Sequence, residues 1–340
     1  MKRIRVSHPA ERDLDEIWHY IVKKSGSMET ADRLVDSITE TFPLFAHAPG
    51  VGTRPRLDLF AAHERWEGNL GRRCFQSPHG QTWSSGMTDL DLLKDDLVTA
   101  NRILADNNVL DSFGHVSIRH PDNPDRFLMA RARAPMCVQI DDIMEFTLDG
   151  KVVGPKPGKP YSERFIHGAV LEARPDAMAV VHSHSPNIVP FSVVKSQRFG
   201  AIMHMASPVG RDVPNWDIRD TFGDSTNLLV TNMEMGRDLA KTLASRTAAM
   251  MRGHGSVVVG KSLREAVFTA VYMEINAQML GKALAMGDVT YLSDGEIATN
   301  TRGRAGFTLE RGWENWCRSA DRPYYPLAWD IGVGFSRSDK

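Results

Sequence analysis

Apolar positions near the start of the chain recur at helical spacing. Between Ala10 and Val22 they fall at Leu14, Ile17 and Ile21; between Glu29 and Phe42 they fall at Ala31, Leu34, Val35, Ile38 and Phe42. A period near 3.6 predicts two amphipathic helices, the second stopped by Pro43. Residues 1–58 are therefore expected to form an αα-hairpin. From 59 to 86 the pattern is lost, and the Gly, Ser, Pro and His residues near its end read as a linker.

A regular pattern resumes at Met87-Thr88. Leu93, Leu97, Ala100, Ile103 and Leu104 predict a helix over Leu90–Asn107. Short strands are expected at His115–Arg119 and Phe127–Arg131, and Glu145–Leu148 and Lys151–Val153 flank Asp149-Gly150, a two-residue hairpin signal. A Pro/Gly loop (Gly154–Pro160) leads to a helix over Ser162–Arg174 that stops before Pro175, and a strand follows at Ala179–Ser183. Strands at Ala249–Arg252 and Ser256–Val259 bracket Gly253-His254-Gly255, and Ser262 with Glu265 caps a long helix reaching Met286. Strands and helices mix without strict alternation, which predicts an α/β (mixed) fold with a mostly antiparallel sheet covered by helices. The domain boundaries follow: a helical segment at 1–58, a linker at 59–86, the main domain at 87–320 and a C-terminal tail at 321–340.

Composition narrows the partners. Forty-one basic against forty-two acidic residues leave a net charge of −1, so no global field draws the chain to nucleic acid or to an anionic membrane. The three cysteines, Cys74, Cys137 and Cys317, form no CxxC pair and suggest no disulfide framework. No apolar run approaches the roughly 18 residues a bilayer requires, and the N-terminus turns polar too early for a secretory signal. The expectation is a soluble, cytoplasmic protein whose partner is a small molecule.

The chemistry concentrates in VVHSHS. Residues two apart on a strand share a face, so His182 and His184 project together and could share a cation, or be ordinary hydrogen-bonded histidines. His254 sits between two glycines, where backbone and ligand can approach closely. Glu163 falls in the first turn of its helix after Ser162 as N-cap, where the helix dipole favours a carboxylate. Three imidazoles and an oxygen suit Zn²⁺, Mn²⁺, Fe²⁺ or Co²⁺ without choosing among them.

The motifs GHVSIR, PYSERFIH, RPDAMAVVHSHS and RGHG resemble those of the class II aldolase/adducin family over about residues 88–290. In that family a Glu precedes the first ligand His by nineteen residues, as Glu163 precedes His182 here. The resemblance implies a three-layer sandwich and one divalent ion per subunit. It implies metal ligation by His182, His184 and His254, with Glu163 as fourth ligand or acid/base. It also implies a homotetramer with sites at subunit interfaces. Adducin-type members lack the ligands; this chain keeps them, which favours an enzyme, a metal-dependent lyase. The tail segment Gly306–Ser319, with Trp313 and Trp316, would either cover a neighbour's pocket or pack locally.

The pocket departs from the sugar-phosphate aldolases. His115 replaces an Asn, Ala132-Arg133 replaces a Thr-Gly pair, and Tyr161-Ser162 replaces paired Ser. His204 aligns with a loop tyrosine that donates a proton. Neutral donors suited to phosphate are lost, while Arg131 and Arg133 bring guanidinium forks that match carboxylates. These changes resemble the family's decarboxylase branch, which acts on hydroxylated aromatic or pyridine dicarboxylates. There a ring carbon is protonated by an acid such as His115, His204 or Glu163, and Arg131 or Arg133 holds the second carboxylate. An aldolase or epimerase of a small sugar phosphate is the second reading. A third, a toxin-antitoxin-like protein whose N-terminal helices bind an antitoxin or other macromolecular partner, comes from VSHPAERDLDEIWHYI and APGVGTRPRLD, which make residues 3–58 resemble a truncated ParE/RelE toxin. That family continues into a sheet not evident here, and nine basic against nine acidic residues in 1–58 leave no basic face.

Overall fold

The computed structural model describes residues 88–155, 157–302 and 307–325. The expected αα-hairpin, the linker, Cys74 and most of the predicted tail lie outside the described residues. Helix α1 (Asp89–Asp106) starts on a capping box: the Thr88 hydroxyl accepts from the Asp91 amide at 3.2 Å, and Asp91 accepts the Thr88 N–H at 3.0 Å.

Eight strands form one sheet: β1 (His115–His120), β2 (Asn123–Ala130), β3 (Ile143–Thr147), β4 (Val152–Val153), β5 (Ala179–Ser183), β6 (Asn215–Trp216), β7 (Ala248–Met251) and β8 (Gly255–Gly260). Their order is β4-β3-β2-β1-β5-β8-β7-β6, and every neighbouring pair is antiparallel except β6–β7. The helices are α2 (Arg164–Ala173), α3 (Val189–Val193), α4 (Arg219–Phe222), α5 (Met233–Leu243), α6 (Leu263–Met286), α7 (Asp294–Arg302) and α8 (Phe307–Ser319).

Period-two alternation divides the sheet between two cores. Val116, Ile118, Ala179 and Val181 join Leu97, Ile103, Val267 and Trp313 on the α1/α6 side. Val180, Phe127, Met129 and Val257 join Ile166, Val170 and Leu239 on the α2/α5 side. The result is the expected mixed α/β architecture, a central sheet between two helical layers. On α5, a Cβ at Gly236 would stand 2.5 Å from the Phe165 carbonyl oxygen, so only glycine lets α5 close onto α2.

Two expectations shift. Strand β2 ends at Ala130, not Arg131, because Arg131 and Arg133 turn onto Asp142, each at 2.6 Å. Helix α2 starts at Arg164, with Glu163 in the capping position and no side-chain cap from Ser162. The cause is that the Glu163 carboxylate is committed elsewhere, as described below. Ser262 caps α6 as expected, accepting from the Glu265 amide at 3.1 Å. Trp313 is fully buried against α1 and α6, so this part of the tail segment packs on its own domain. The first residues beyond 320 are also anchored there, with the Tyr325 hydroxyl on Asp95 at 3.0 Å. Among the described residues no helix is long and apolar enough to cross a membrane.

Candidate metal centre

Three elements deliver four side chains to one point. His182, on the α2 face of β5, is fully buried. His184 lies one residue beyond the strand end. The β5–β8 register pairs Ser183 with Ser256, which carries the β7–β8 turn and His254 alongside. Both flanking glycines are required: Gly253 has φ +65°, and a Cβ on Gly255 would fall 1.9 Å from the Ser183 carbonyl oxygen. Glu163 approaches from the start of α2.

His184 Nε2 is 3.2 Å from His182 Nε2 and 3.1 Å from His254 Nε2. Glu163 Oε2 is 3.7 Å from His182 Nε2 and 3.6 Å from His254 Nε2. Ligands about 2.0–2.1 Å from a shared cation at tetrahedral angles stand roughly 3.3 Å apart. The observed separations fit one ion.

Protonation gives the same answer. His182 Nδ1 lies 3.1 Å from the Ser256 carbonyl, and His184 Nδ1 lies 3.1 and 3.2 Å from the Asp111 carboxylate oxygens. Those oxygens only accept, so each Nδ1 carries the hydrogen, and in the neutral form of each ring the lone pair lies at Nε2. Two lone pairs 3.2 Å apart repel unless a cation sits between them. Burial keeps His182 far below the usual imidazole range, and hence neutral. Burial alone would raise the Glu163 carboxyl. A hydrogen bond with His254, the nearby His182 and His254 rings, and the Val230 N–H at 2.9 Å on Oε1 outweigh it and hold Glu163 at about 2. The four groups, three imidazoles and a carboxylate, could hold a divalent metal.

The cluster lies in the wall of a cleft of about 670 Å³. Its lining includes His115, Arg133, Tyr161 and Ser162 from the predicted set, together with Phe113 and Leu228. His115 packs between Tyr161 and His182, its ring tilted against both, with centroids at 4.5 and 5.1 Å. Tyr161 donates its hydroxyl to the Arg133 carbonyl, and burial raises its pKa to about 12. Arg131 is absent from the lining. His204 is exposed, at the head of a 3₁₀ segment (His204–Val209), and does not line this cleft.

Sequence reasoning missed the groups behind the ligands. Asp111 orients His184, the Ser256 carbonyl orients His182, and Asp142 binds both arginines. His167 Nε2 lies 2.7 Å from His115 Nδ1, and His167 Nδ1 lies 2.6 Å from Ser117 Oγ. Of these only His167 had a legible signal: it stands four residues after Glu163 on one helix face.

The profile of the Class II Aldolase and Adducin N-terminal domain family matches residues 95–280, more than half the chain, and the chain belongs to that family. A second profile, the ParE toxin of the type II toxin-antitoxin system parDE, matches residues 4–79, running into the segment read as a linker. The decarboxylase tropJ of Talaromyces stipitatus is 31% identical over 66% of this chain and 92% of its own length. L-fuculose phosphate aldolase of Escherichia coli K12 is 30% identical over 54% of this chain and 80% of its own. The 3,4-dihydroxyphthalate decarboxylase of Arthrobacter keyseri is 27% identical over 69% and 96%. Among solved structures, an aldolase II superfamily protein from Pseudomonas syringae superposes with a TM-score of 0.59 at 20% identity, covering 73% of this chain and 97% of that one. Fold and relatives together define a class II aldolase-family lyase.

Proposed function

We propose that the protein is a divalent-metal-dependent decarboxylase of a hydroxylated aromatic or pyridine dicarboxylate. The observation that carries this reading is the cleft wall beside the ligand cluster. Arg133 lines it where the sugar-phosphate aldolases keep a small neutral residue, and two guanidiniums share the single carboxylate of Asp142. One positive charge is left over at that wall, suited to a second carboxylate. Relatives named as decarboxylases, one of them for 3,4-dihydroxyphthalate, support the same substrate class.

A divalent cation held by His182, His184 and His254 would supply Lewis-acid polarisation of a vicinal hydroxyl and carboxylate, with Glu163 beside it as the acid/base. Zn²⁺, Mn²⁺, Fe²⁺ and Co²⁺ all suit that donor set. Glu163, ionised at neutral pH, takes the proton of the substrate hydroxyl and returns it to the ring carbon bearing the carboxylate. The bond from that carbon to the carboxylate then breaks, its electron pair returns to the ring and its oxygen, and carbon dioxide leaves. The phenolate product takes a proton from water. Tyr161 and Phe113 flank the ring, Ser162 offers a hydroxyl at the rim, and His115 faces the substrate oxygen. His204 has no part in this reading, being outside the cleft. Membership of the class II aldolase family supports assembly as a homotetramer.

The test is carbon dioxide release from a panel of vicinal hydroxy-aromatic dicarboxylates, run beside cleavage of ketose phosphates. Release from one of the aromatic acids is expected. Brisk cleavage of a ketose phosphate with no carbon dioxide from any aromatic acid would establish instead the aldolase reading, for which the 30% identity to fuculose phosphate aldolase speaks.

A further inference from the structure

Behind the cleft wall, on the α2 face of the sheet, a chain of three buried side chains leads away from His115. His115, Ser117 and His167 are 1%, 0% and 0% exposed. His115 and Ser117 lie two residues apart on β1 and so share a face, and His167 comes down onto both from α2. The His115 Nδ1–His167 Nε2 distance is 2.7 Å and the His167 Nδ1–Ser117 Oγ distance is 2.6 Å. His115 Nε2 is the free end: it has no hydrogen-bond partner among the described residues, and its ring lines the cleft.

Two hydrogen arrangements satisfy these distances. In one, Ser117 donates to His167, His167 donates from Nε2 to His115 Nδ1, and His115 presents Nε2–H to the cleft. In the other every bond reverses, and His115 presents a lone pair. Ser117 decides between them. Among the described residues its hydroxyl has a single hydrogen-bond partner, His167 Nδ1. If it accepted there, its own hydrogen would be left unpaired in the core, an arrangement native proteins avoid. Ser117 therefore donates, and the direction propagates outward. Burial holds His167 near pKa 3, so it enters the chain as a neutral ring with one donor and one acceptor. Phe127 stacks on His167 with centroids 6.4 Å apart, which limits ring flipping.

We propose that Ser117 and His167 are positioning residues that lock His115 in its Nε2–H tautomer, so that this wall of the cleft always donates a hydrogen bond to an acceptor oxygen of the substrate. The inference deepens the lyase reading and rests on the cleft being the substrate site. A neutral imidazole is a poor acid, so His115 is a donor to oxygen and not the source of the proton on carbon. The oxygen it meets is the one that gains the electron pair as the carbon–carbon bond breaks. The bond is thus stronger in the transition state than in the bound substrate. Substrates presenting a carboxylate, phenolate or carbonyl oxygen at this point are favoured. Those presenting only N–H donors are rejected.

The direct test is long-range ¹H–¹⁵N correlation spectroscopy of the full chain labelled with ¹⁵N-histidine, with His115→Gln used to assign the signals. His115 and His167 are both expected to be protonated at Nε2 and bare at Nδ1. A wild-type His115 protonated at Nδ1 overturns the proposal. Kinetics give the second arm. His167→Leu, which removes the donor to His115, should mix the His115 tautomers and lower kcat roughly 100-fold, with KM and metal content close to wild type. His167→Gln keeps an N–H donor and should restore most of kcat. Equal turnover in wild type and His167→Leu, with His115 unchanged in the spectra, also overturns it. If no carboxylated substrate turns over yet His115 proves Nε2-protonated, the tautomer lock stands and the decarboxylase reading falls.

Discussion

His184 has the most exposed side chain of the four candidate ligands, at 21% against 0% for His182 and 8% each for His254 and Glu163. Its orientation therefore depends most on a partner, and that partner is Asp111. The Asp111 carboxylate accepts the His184 Nδ1–H and is itself fixed by the Phe113 and Gly114 amides, at 2.8 and 2.9 Å on Oδ1. Asp111→Ala frees the ring to rotate and removes the negative charge that raises the basicity of Nε2. Loss of such a partner behind a ligating histidine typically weakens metal binding ten- to a hundredfold, about 1.4–2.7 kcal/mol. Asp111→Asn keeps an oxygen for the two amides and for Nδ1–H but loses the charge, so it should fall at the weak end of that range. The measurement is competition against a chromophoric chelator at fixed pH, with thermal melting as the control for folding. Asp111 is about half exposed, so the melting temperature should move little. Wild-type metal affinity in both variants would refute the reasoning and assign His184 the opposite tautomer.

Ala at His182, His184 or His254 should abolish stoichiometric metal while leaving far-UV circular dichroism intact; elemental analysis checks it. Acid should destabilise the fold. His167 has its pKa lowered from 6.5 to about 3 and Glu163 from 4.5 to about 2. Their stabilisation is complete above pH 6.5 and is lost as pH falls towards those folded values. At pH 4.5 the His167 share alone is on the order of 3 kcal/mol, seen as a lower denaturation midpoint than at pH 7, with no comparable loss from pH 7 to 8. Arg133→Met should raise KM for a dicarboxylate roughly ten- to a hundredfold, while Arg133→Lys, keeping charge but not the fork, should recover only part.

The fold was legible wherever a local rule and the tertiary environment agreed. Strand β5 reads as a continuous apolar run because it lies near the sheet centre, covered on both faces. Helix α6 carries its own start signal in Ser262. Legibility failed where a side chain was diverted from a local role to a distant one. Glu163 looked like an ordinary first-turn carboxylate behind a Ser162 cap. In the fold it bonds the Val230 amide, 67 residues away, and faces two imidazoles, and the helix begins one residue later than its sequence suggests. Arg131 looked like the end of a strand, until Asp142 drew it and Arg133 together.

The same division runs through the site. Each ligand announced itself within a few residues, through His-x-His on a strand, His between glycines, and Glu beside Ser. What would make those imidazoles ligands and not merely neighbours is the direction of their hydrogens, and that is set by groups brought in through sheet register and helix docking. Asp111 reaches His184 across 73 residues, Ser256 reaches His182 across 74, and His167 reaches His115 across 52. No local pattern encodes such pairs, because their spacing belongs to the topology. They nonetheless fix the chemistry. With Nδ1 of His182 and His184 bound to acceptors, both Nε2 atoms face inward, where they could share a cation. With Ser117 forced to donate, His115 must present a hydrogen to the cleft. One wall of the site is thereby suited to a cation and the adjoining wall to an acceptor oxygen. A substrate that chelates through neighbouring oxygens satisfies both at once.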